Sequence, residues 1–379
     1  MKKVSLIGCT GSIGKQSIDV ARLRGFHITA LAANTNYKLV EQQAREFMPN
    51  IVAMYDEKAA KELKTLLSDT SIKVLSGTEG VAEAASIDTD IVVNGVVGIA
   101  GLKPTLAAVE AGHTLALANK ESLVCAGDIV IAKAEENNVK ILPVDSEHSA
   151  VFQCLAHHKN DEIEKIILTA SGGPFYDFTK EQLKNVTPQQ ALKHPSWNMG
   201  SKITIDSATM MNKGFELIEA KYLFDVGPEQ LGYVVHRESI VHSMIQFRDG
   251  ALMAQLSPPD MRLPIVYALD YPIRYQNELK RFDPCSAPIV FLPPKSDVFV
   301  APDLCLKALK IGGNAGAIIN GANEAAIALF LNEKIGFTDI VDFTEQALCS
   351  IEHIDNPTIT DIFETDKLAR SFVNNKVVN

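Results

Sequence analysis

The segment Gly8-Cys9-Thr10-Gly11-Ser12-Ile13-Gly14 follows a short apolar run, Val4 to Ile7, and leads into a helix-like stretch. Glycines at a strand-to-helix junction let the backbone turn tightly and approach a pyrophosphate, while the helix start supplies amides and positive potential. That places the N-terminal part in a parallel α/β sheet. The spacing is GxxGxxG and not GxGxxG, so a glycine turn without a ligand remains an alternative; the position at the first βα junction favours a dinucleotide. An NAD site ends its second strand with Asp or Glu about 20 residues further on. Here that place reads Ala32-Ala33-Asn34-Thr35-Asn36, with Lys38 the nearest cation. A 2′-phosphate would not be repelled there, so NADP is favoured over NAD, the other reading being a plain polar loop.

The rhythm of the chain agrees with this start. Lys3–Ile7, Phe26–Ala32, Ile51–Met54, Ile72–Leu75, Asp90–Val93, Thr114–Ala118 and Lys140–Val144 read as strands. Helical patterns fall between them at Gly14–Arg24, Lys38–Phe47, Glu57–Leu67, Lys103–Ala111 and Ser122–Asn137. Such alternation implies a mostly parallel sheet covered on both faces. After residue 144 it stops, and residues 145–256 read as a second, α+β domain. That domain has a strand at Glu164–Thr169, a Gly- and Pro-rich tract from Ser171 to Ser201, and one helix from Asp206 to Phe224. Tyr233–His236, Ser243–Phe247 and Ala251–Leu256 read as antiparallel strands, the last two joined through Arg248-Asp249-Gly250. Prolines from Pro258 to Pro294 make 257–301 a linker, and 302–379 reads as a helical domain with helices at 302–311, 316–333, 338–353 and 359–374.

Charge and cysteine usage narrow the partners. The net charge of −10 over 379 residues argues against a broad electrostatic grip on nucleic acid or an anionic bilayer, so an anionic ligand needs a local site. Six scattered cysteines without CxxC spacing suit reduced thiols in the cytosol. Neither a signal-peptide core nor a stretch of membrane-spanning length is present in the sequence.

Asp145-Ser146-Glu147 stands at the expected carboxyl end of a strand, where open α/β sheets place ligands. On an extended backbone Asp145 and Glu147 point the same way and can share one hard cation; a solvated turn is the alternative. In Asp206–Glu216, a helix puts Asn212, Lys213 and Glu216 on one face, with Ser207 near its start, where free amides can meet a phosphate. The bland reading is an amphipathic helix with an internal Lys213–Glu216 pair. His194-Pro195-Ser196-Trp197-Asn198-Met199-Gly200 holds the sole tryptophan in a stretch of low regular propensity, and reads as a lid or as a buried anchor. Ser171-Gly172-Gly173-Pro174 offers a second set of amides and a hydroxyl, or a simple turn.

Taken in order, GCTGSIG, LANKESLV, PVDSEH, LTASGGPF, HPSWNMGSKIT and DSATMMNKGFE resemble the 1-deoxy-D-xylulose 5-phosphate reductoisomerase family over nearly the whole chain. The resemblance implies a Rossmann-like N-terminal sheet, a central α+β catalytic domain with a flap at about 186–201, and a C-terminal helical domain. It implies NADPH-dependent isomerisation and reduction of deoxyxylulose phosphate to 2-C-methyl-D-erythritol 4-phosphate, on the non-mevalonate isoprenoid route, by a homodimer using Mg²⁺, Mn²⁺ or Co²⁺. By the same resemblance Asp145, Glu147 and Glu216 are metal ligands. Ser171, Ser207, Asn212 and Lys213 hold the phosphate end, Ser146 and Lys120 contact substrate, and His194 with Trp197 form the closing flap. The catalytic set implied is Lys120, Glu147, His194, Lys213 and Glu216. Thr10, Gly11, Ser12, Ile13, Asn36, Asn119, Glu121 and Gly200 match cofactor contacts. The chain departs from the family pattern at Cys9, where Ser is common, at Asn34-Thr35, where Gly and often a basic residue occur, and after Gly312-Gly313, where Thr-Ala-Pro is usual. A plain NADP dehydrogenase of a small phosphorylated carbonyl compound and a non-catalytic NADP-sensing protein are the rival readings; both leave the three carboxylates without a task.

Overall fold

The computed structural model describes every residue except His157, His194, Pro195, Ser196, Asn198, Ala287 and Asn379, and the side chain of Val378. The chain forms two compact units. Met1–Ser122, Asp128–Ser149 and Asp260–Leu279 make the first; Leu123–Gly127, Ala150–Pro259 and Lys280–Asn379 make the second.

In the first unit, strands and helices alternate: β1 (Lys3–Ile7), α1 (Ser12–Arg24), β2 (His27–Ala33), α2 (Tyr37–Phe47), β3 (Ile51–Met54), α3 (Glu57–Leu66) and β4 (Lys73–Ser76). Then come α4 (Gly77–Ser86), β5 (Ile91–Asn94), α5 (Leu102–Glu110), β6 (Thr114–Leu117), α6 (Lys120–Glu136), β7 (Ile141–Pro143) and α7 (Ser146–Cys154), the last continuing into the second unit. The sheet has seven parallel strands in the order β4-β3-β2-β1-β5-β6-β7. β3 and β5 are buried along their whole length, as a sheet covered on both faces demands, and the edge strand β4 is the most exposed. Side-chain caps start the helices at Asn36, Asp56 and Asn119.

The second unit contains β8 (Ile163–Ala170), α8 (Lys180–Leu183), α9 (Pro188–Ala191), α10 (Ser201–Thr209), α11 (Met211–Phe224), β9 (Leu231–Val235), β10 (Val241–Phe247) and β11 (Leu252–Leu256). After α12 (Arg262–Asp270), which belongs to the first unit, it ends in α13 (Ala301–Ile311), α14 (Ala315–Leu331), α15 (Asp339–Ser350) and α16 (Ile359–Val378). Its sheet runs β11-β10-β8-β9. One face packs through Ile166, Leu168 and Ile245 on Leu217 and Phe224 of α11. A second core joins α11 to the C-terminal helices through Phe215, Ile318 and Phe330, with Phe337 edge-on to Phe330 at 5.7 Å.

Several local expectations are corrected. Asp206–Phe224 is two helices, broken where Met210 takes a left-handed backbone (φ 64°). β9 pairs with β8 in parallel, since α10 and α11 carry the chain back across the sheet; only the β10–β11 hairpin is antiparallel to its neighbours. Within the proline-rich stretch 257–301, Arg262–Asp270 is helical because Pro264 sits in the first turn, where no intrahelical donor is lost. This helix is tied to α1 by Arg24, whose Nε lies 2.8 Å from Asp270 Oδ2.

Candidate active site

The sheet order reverses at β1, so the crevice outside the carboxyl ends of β1 and β5 is the switch point where such sheets bind ligands. The glycine loop lies there. Gly8 has φ 92°, and a Cβ on it would stand 2.7 Å from the carbonyl carbon of Gly95, just beyond β5. A Cβ on Gly14 would stand 2.2 Å from Gly8 O and 2.5 Å from Cys9 Cα, so α1 can approach the loop only as glycine. Gly11 precedes α1 without a side-chain cap, and Thr10, Gly11, Ser12 and Ile13 are half-buried or exposed. Cys9 is enclosed, and burial pushes its thiol up to about 12. Asn36 is exposed but its Oδ1 accepts from Leu39 N–H (3.3 Å), starting α2. Lys38 beside it is exposed.

At the other carboxyl ends, Asn119 caps α6, its Oδ1 accepting from Ser122 N–H (3.0 Å). Its Nδ2 donates to Val96 O (2.8 Å), Gly98 O (2.9 Å) and Glu121 Oε2 (2.9 Å). The residue thus latches the loop after β5, with Glu121 buried beside it. Lys120, 5% exposed, reaches Asp145 Oδ2 at 2.7 Å. The extended geometry expected for Asp145 and Glu147 is replaced by a helix start. Asp145 Oδ1 accepts from Ser146 N–H (2.9 Å), its carbonyl takes Ser149 N–H (2.8 Å), and Glu147 sits in the first turn of α7, favoured by the helix dipole. Ser146 Oγ donates to Glu147 Oε2 at 2.5 Å. His148, fully buried with Nδ1 3.8 Å from Asp145 Oδ2, was not singled out from the sequence; its i+3 spacing from Asp145 was the available signal.

In the second unit, Ser171 directly follows β8 and its Oγ accepts from Gly173 N–H (3.3 Å). Gly172 and Gly173 have φ 77° and 63°, and a Cβ on Gly173 would stand 2.7 Å from Ser207 O. This turn therefore brings Ser171 and α10 together. Ser207 lies near the end of α10 and not at a helix start, because Met210 ends one helix and opens the next. Asn212 and Lys213 occupy the first turn of α11, and both donate to the Glu216 carboxylate. The internal Lys213–Glu216 pair is present and enclosed, with Lys213 3% and Glu216 1% exposed. Glu219, one turn further along α11, is also buried; the i, i+3 spacing from Glu216 could have flagged it. Gly200 is exposed and precedes α10, Trp197 is half-buried, and His194 lies outside the described residues.

A parallel sheet with a glycine loop at its switch point, joined to a unit that buries Lys and Glu on one helix, defines a dinucleotide-binding α/β enzyme. Comparison with known proteins is specific. Family descriptions named 1-deoxy-D-xylulose 5-phosphate reductoisomerase match residues 4–127 and, for its C-terminal domains, residues 141–224 and 256–372. The chain is 48% identical over 379 residues to the 1-deoxy-D-xylulose 5-phosphate reductoisomerase of Lachnospira eligens, covering 99% of this chain and 100% of that one. It is similar to the Zymomonas mobilis enzyme of that name in complex with NADPH (TM-score 0.93, 39% identity, 99% of each chain). A DOX-P reductoisomerase structure with NADPH, fosmidomycin and magnesium aligns with TM-score 0.95 at 38% identity, over 100% of this chain and 98% of that one. The chain belongs to the 1-deoxy-D-xylulose 5-phosphate reductoisomerase family.

Proposed function

We propose that this protein is the NADPH- and divalent-metal-dependent enzyme that isomerises and reduces 1-deoxy-D-xylulose 5-phosphate to 2-C-methyl-D-erythritol 4-phosphate. The carrying observation is α11, which buries Lys213, Glu216 and Glu219 on one helix, a concentration of enclosed ionisable groups that marks functional sites. Asp145, Glu147 and Glu216 are our assigned metal ligands. Their donor set fits a hard cation, since carboxylate oxygens suit Mg²⁺ or Mn²⁺, Asp145 and Glu147 adjoin one helix start, and Glu216 is held by Asn212 and Lys213. When bound, the cation supplies a Lewis acid for the substrate's keto and hydroxyl oxygens, and NADPH supplies the hydride.

The chain's own groups do the rest. Lys213, Asn212, Ser207 and Ser171 hold the phosphate end, Lys213 by charge and the others by hydrogen bonds. Lys120 fixes the Asp145 carboxylate and, with Ser146, contacts the substrate. His194 and Trp197 belong to a flap that closes over the reacting carbons and excludes water. Thr10 to Ile13, Asn36, Glu121 and Gly200 serve the cofactor, with Asn119 acting through the loop it latches. NADPH is preferred over NADH because the β2 end carries no carboxylate. The deciding experiment supplies purified protein with deoxyxylulose phosphate, NADPH and Mg²⁺; the expected product is 2-C-methyl-D-erythritol 4-phosphate, and NADPH oxidation without it would overturn the reading.

The working form is a homodimer in the cytoplasm. β11 is an edge strand with Leu252, Met253 and Leu256 exposed, an apolar edge suited to a second copy. Among the described residues no helix is long and apolar enough to cross a membrane. Sedimentation at micromolar concentration should give a dimer that Met253→Lys dissociates; a monomeric parent refutes this.

A further inference from the structure

Asp206 opens the block that carries Ser207, Asn212, Lys213 and Glu216, yet nothing above gives it a task. It is 1% exposed on α10. Its Oδ1 accepts from Asn323 Nδ2 of α14 at 2.7 Å, and its Oδ2 lies 3.0 Å from Lys202 Nζ one turn earlier. The Lys202 ammonium also stands 5.2 Å from the ring centroid of Phe215, fully buried on α11. One carboxylate thus ties α10 to α14, and the cation paired with it reaches across to α11. Asn323 Oδ1 is buried with no protein hydrogen-bond partner among the described residues. The Asn323 amide is thus tied into the fold through its donor, and the group that takes that donor is Asp206.

What it holds is the elbow between α10 and α11. Met210, at φ 64°, is a non-glycine residue in the left-handed region, a conformation that persists where the surroundings over-determine it. Ser207 stands on one arm of the elbow and Asn212 and Lys213 on the other, so the angle between the arms sets their separation. The Ser171 turn bears on the same arm through the close approach of Gly173 to Ser207 O.

We propose that Asp206, held by Asn323 and Lys202, is a positioning residue that fixes this elbow so that Ser207, Asn212 and Lys213 converge on the substrate phosphate. The proposal rests on the reading of those three groups as the phosphate site. It is tested in the full chain with NADPH and Mg²⁺ by comparing Asp206→Ala, Asp206→Asn, Asn323→Ala and Lys213→Ala. The measurements are KM and kcat for deoxyxylulose phosphate, the inhibition constant of inorganic phosphate, and NADPH affinity. Asp206→Ala and Asn323→Ala should raise KM and the phosphate inhibition constant about tenfold, with kcat within about threefold and NADPH affinity unchanged. Asp206→Asn keeps an acceptor for Asn323 and should recover to within about threefold of the parent. Asn323→Ala leaves the Asp206–Lys202 pair intact, so it remains informative if Asp206→Ala fails to fold. Parental KM and phosphate inhibition in Asn323→Ala, or equal losses in kcat and NADPH affinity, would overturn the positioning role. A parental KM in Lys213→Ala would instead overturn the phosphate site itself.

Discussion

His242 offers a quantitative test of how the second unit is built. It lies on β10, 5% exposed, with Nε2 3.2 Å from Ser257 O. Burial lowers its pKa from 6.5 to about 4, and His236 and Lys213 add in the same direction, against backbone hydrogen bonds to Ser257 and Pro258. The fold therefore holds this imidazole neutral. Above pH 6.5 it is neutral whether the chain is folded or unfolded, and its contribution is fully present. As pH falls from 6.5 towards 4 the unfolded chain binds the proton first, and stability is lost. The full loss is about 3 kcal/mol, of which about 2 kcal/mol falls between pH 7 and pH 5. Urea unfolding of the parent and of His242→Gln at those two pH values isolates the term, because carboxylates titrate alike in both proteins. The parent should lose about 2 kcal/mol more than the variant over that interval. Equal losses in the two proteins would refute the buried neutral imidazole.

Three further outcomes follow from the site. Gly14→Ala forces a Cβ against Gly8 O, so NADPH affinity, measured by fluorescence titration, should fall at least about tenfold with about 1–3 kcal/mol of stability; parental affinity would refute the loop's role. Glu216→Gln preserves shape but removes the charge of a proposed ligand, and Mn²⁺ affinity by electron paramagnetic resonance should fall about 10–100-fold with the circular dichroism spectrum intact; binding within a few-fold of the parent would show that Glu216 is not a ligand. Trp197, the sole tryptophan and half-buried, should change emission when a substrate analogue saturates the NADPH-bound enzyme, whereas an unchanged spectrum supports a fixed loop anchor.

The first unit was legible because its information is local. Each strand is a short apolar run set between helical patterns, and all seven were located to within a residue or so. α4 was missed because Gly77 and Gly80 lower helix propensity, while burial of Val81, Ala84 and Ala85 outweighs it. α7 was missed because Asp145-Ser146-Glu147 reads as a polar turn until Asp145 is seen accepting from Ser146 N–H. No residue pattern announces a left-handed methionine, so the elbow at Met210 was read through as continuous helix and Ser207 was placed at the wrong end of it.

The candidate site divides along the same line. Its residue types and spacings are carried by short motifs at element ends: the glycine loop, the turn after β7, and the first turn of α11. Spacing also foretold the Lys213–Glu216 pair, but not that both members are enclosed, since apolar residues surround α11 on more than one face. The ties that orient these ends join distant parts of the chain. Lys120 meets Asp145 across a strand and a helix, and Asp206 meets Asn323 over 117 residues. A carboxylate's sequence neighbours disclose which chemistry it can perform; its partner far along the chain decides where that chemistry points. Substitution at a distant partner outside the motifs, such as Asn323, should therefore alter binding selectively, whereas loss of the motif residues themselves removes the reaction.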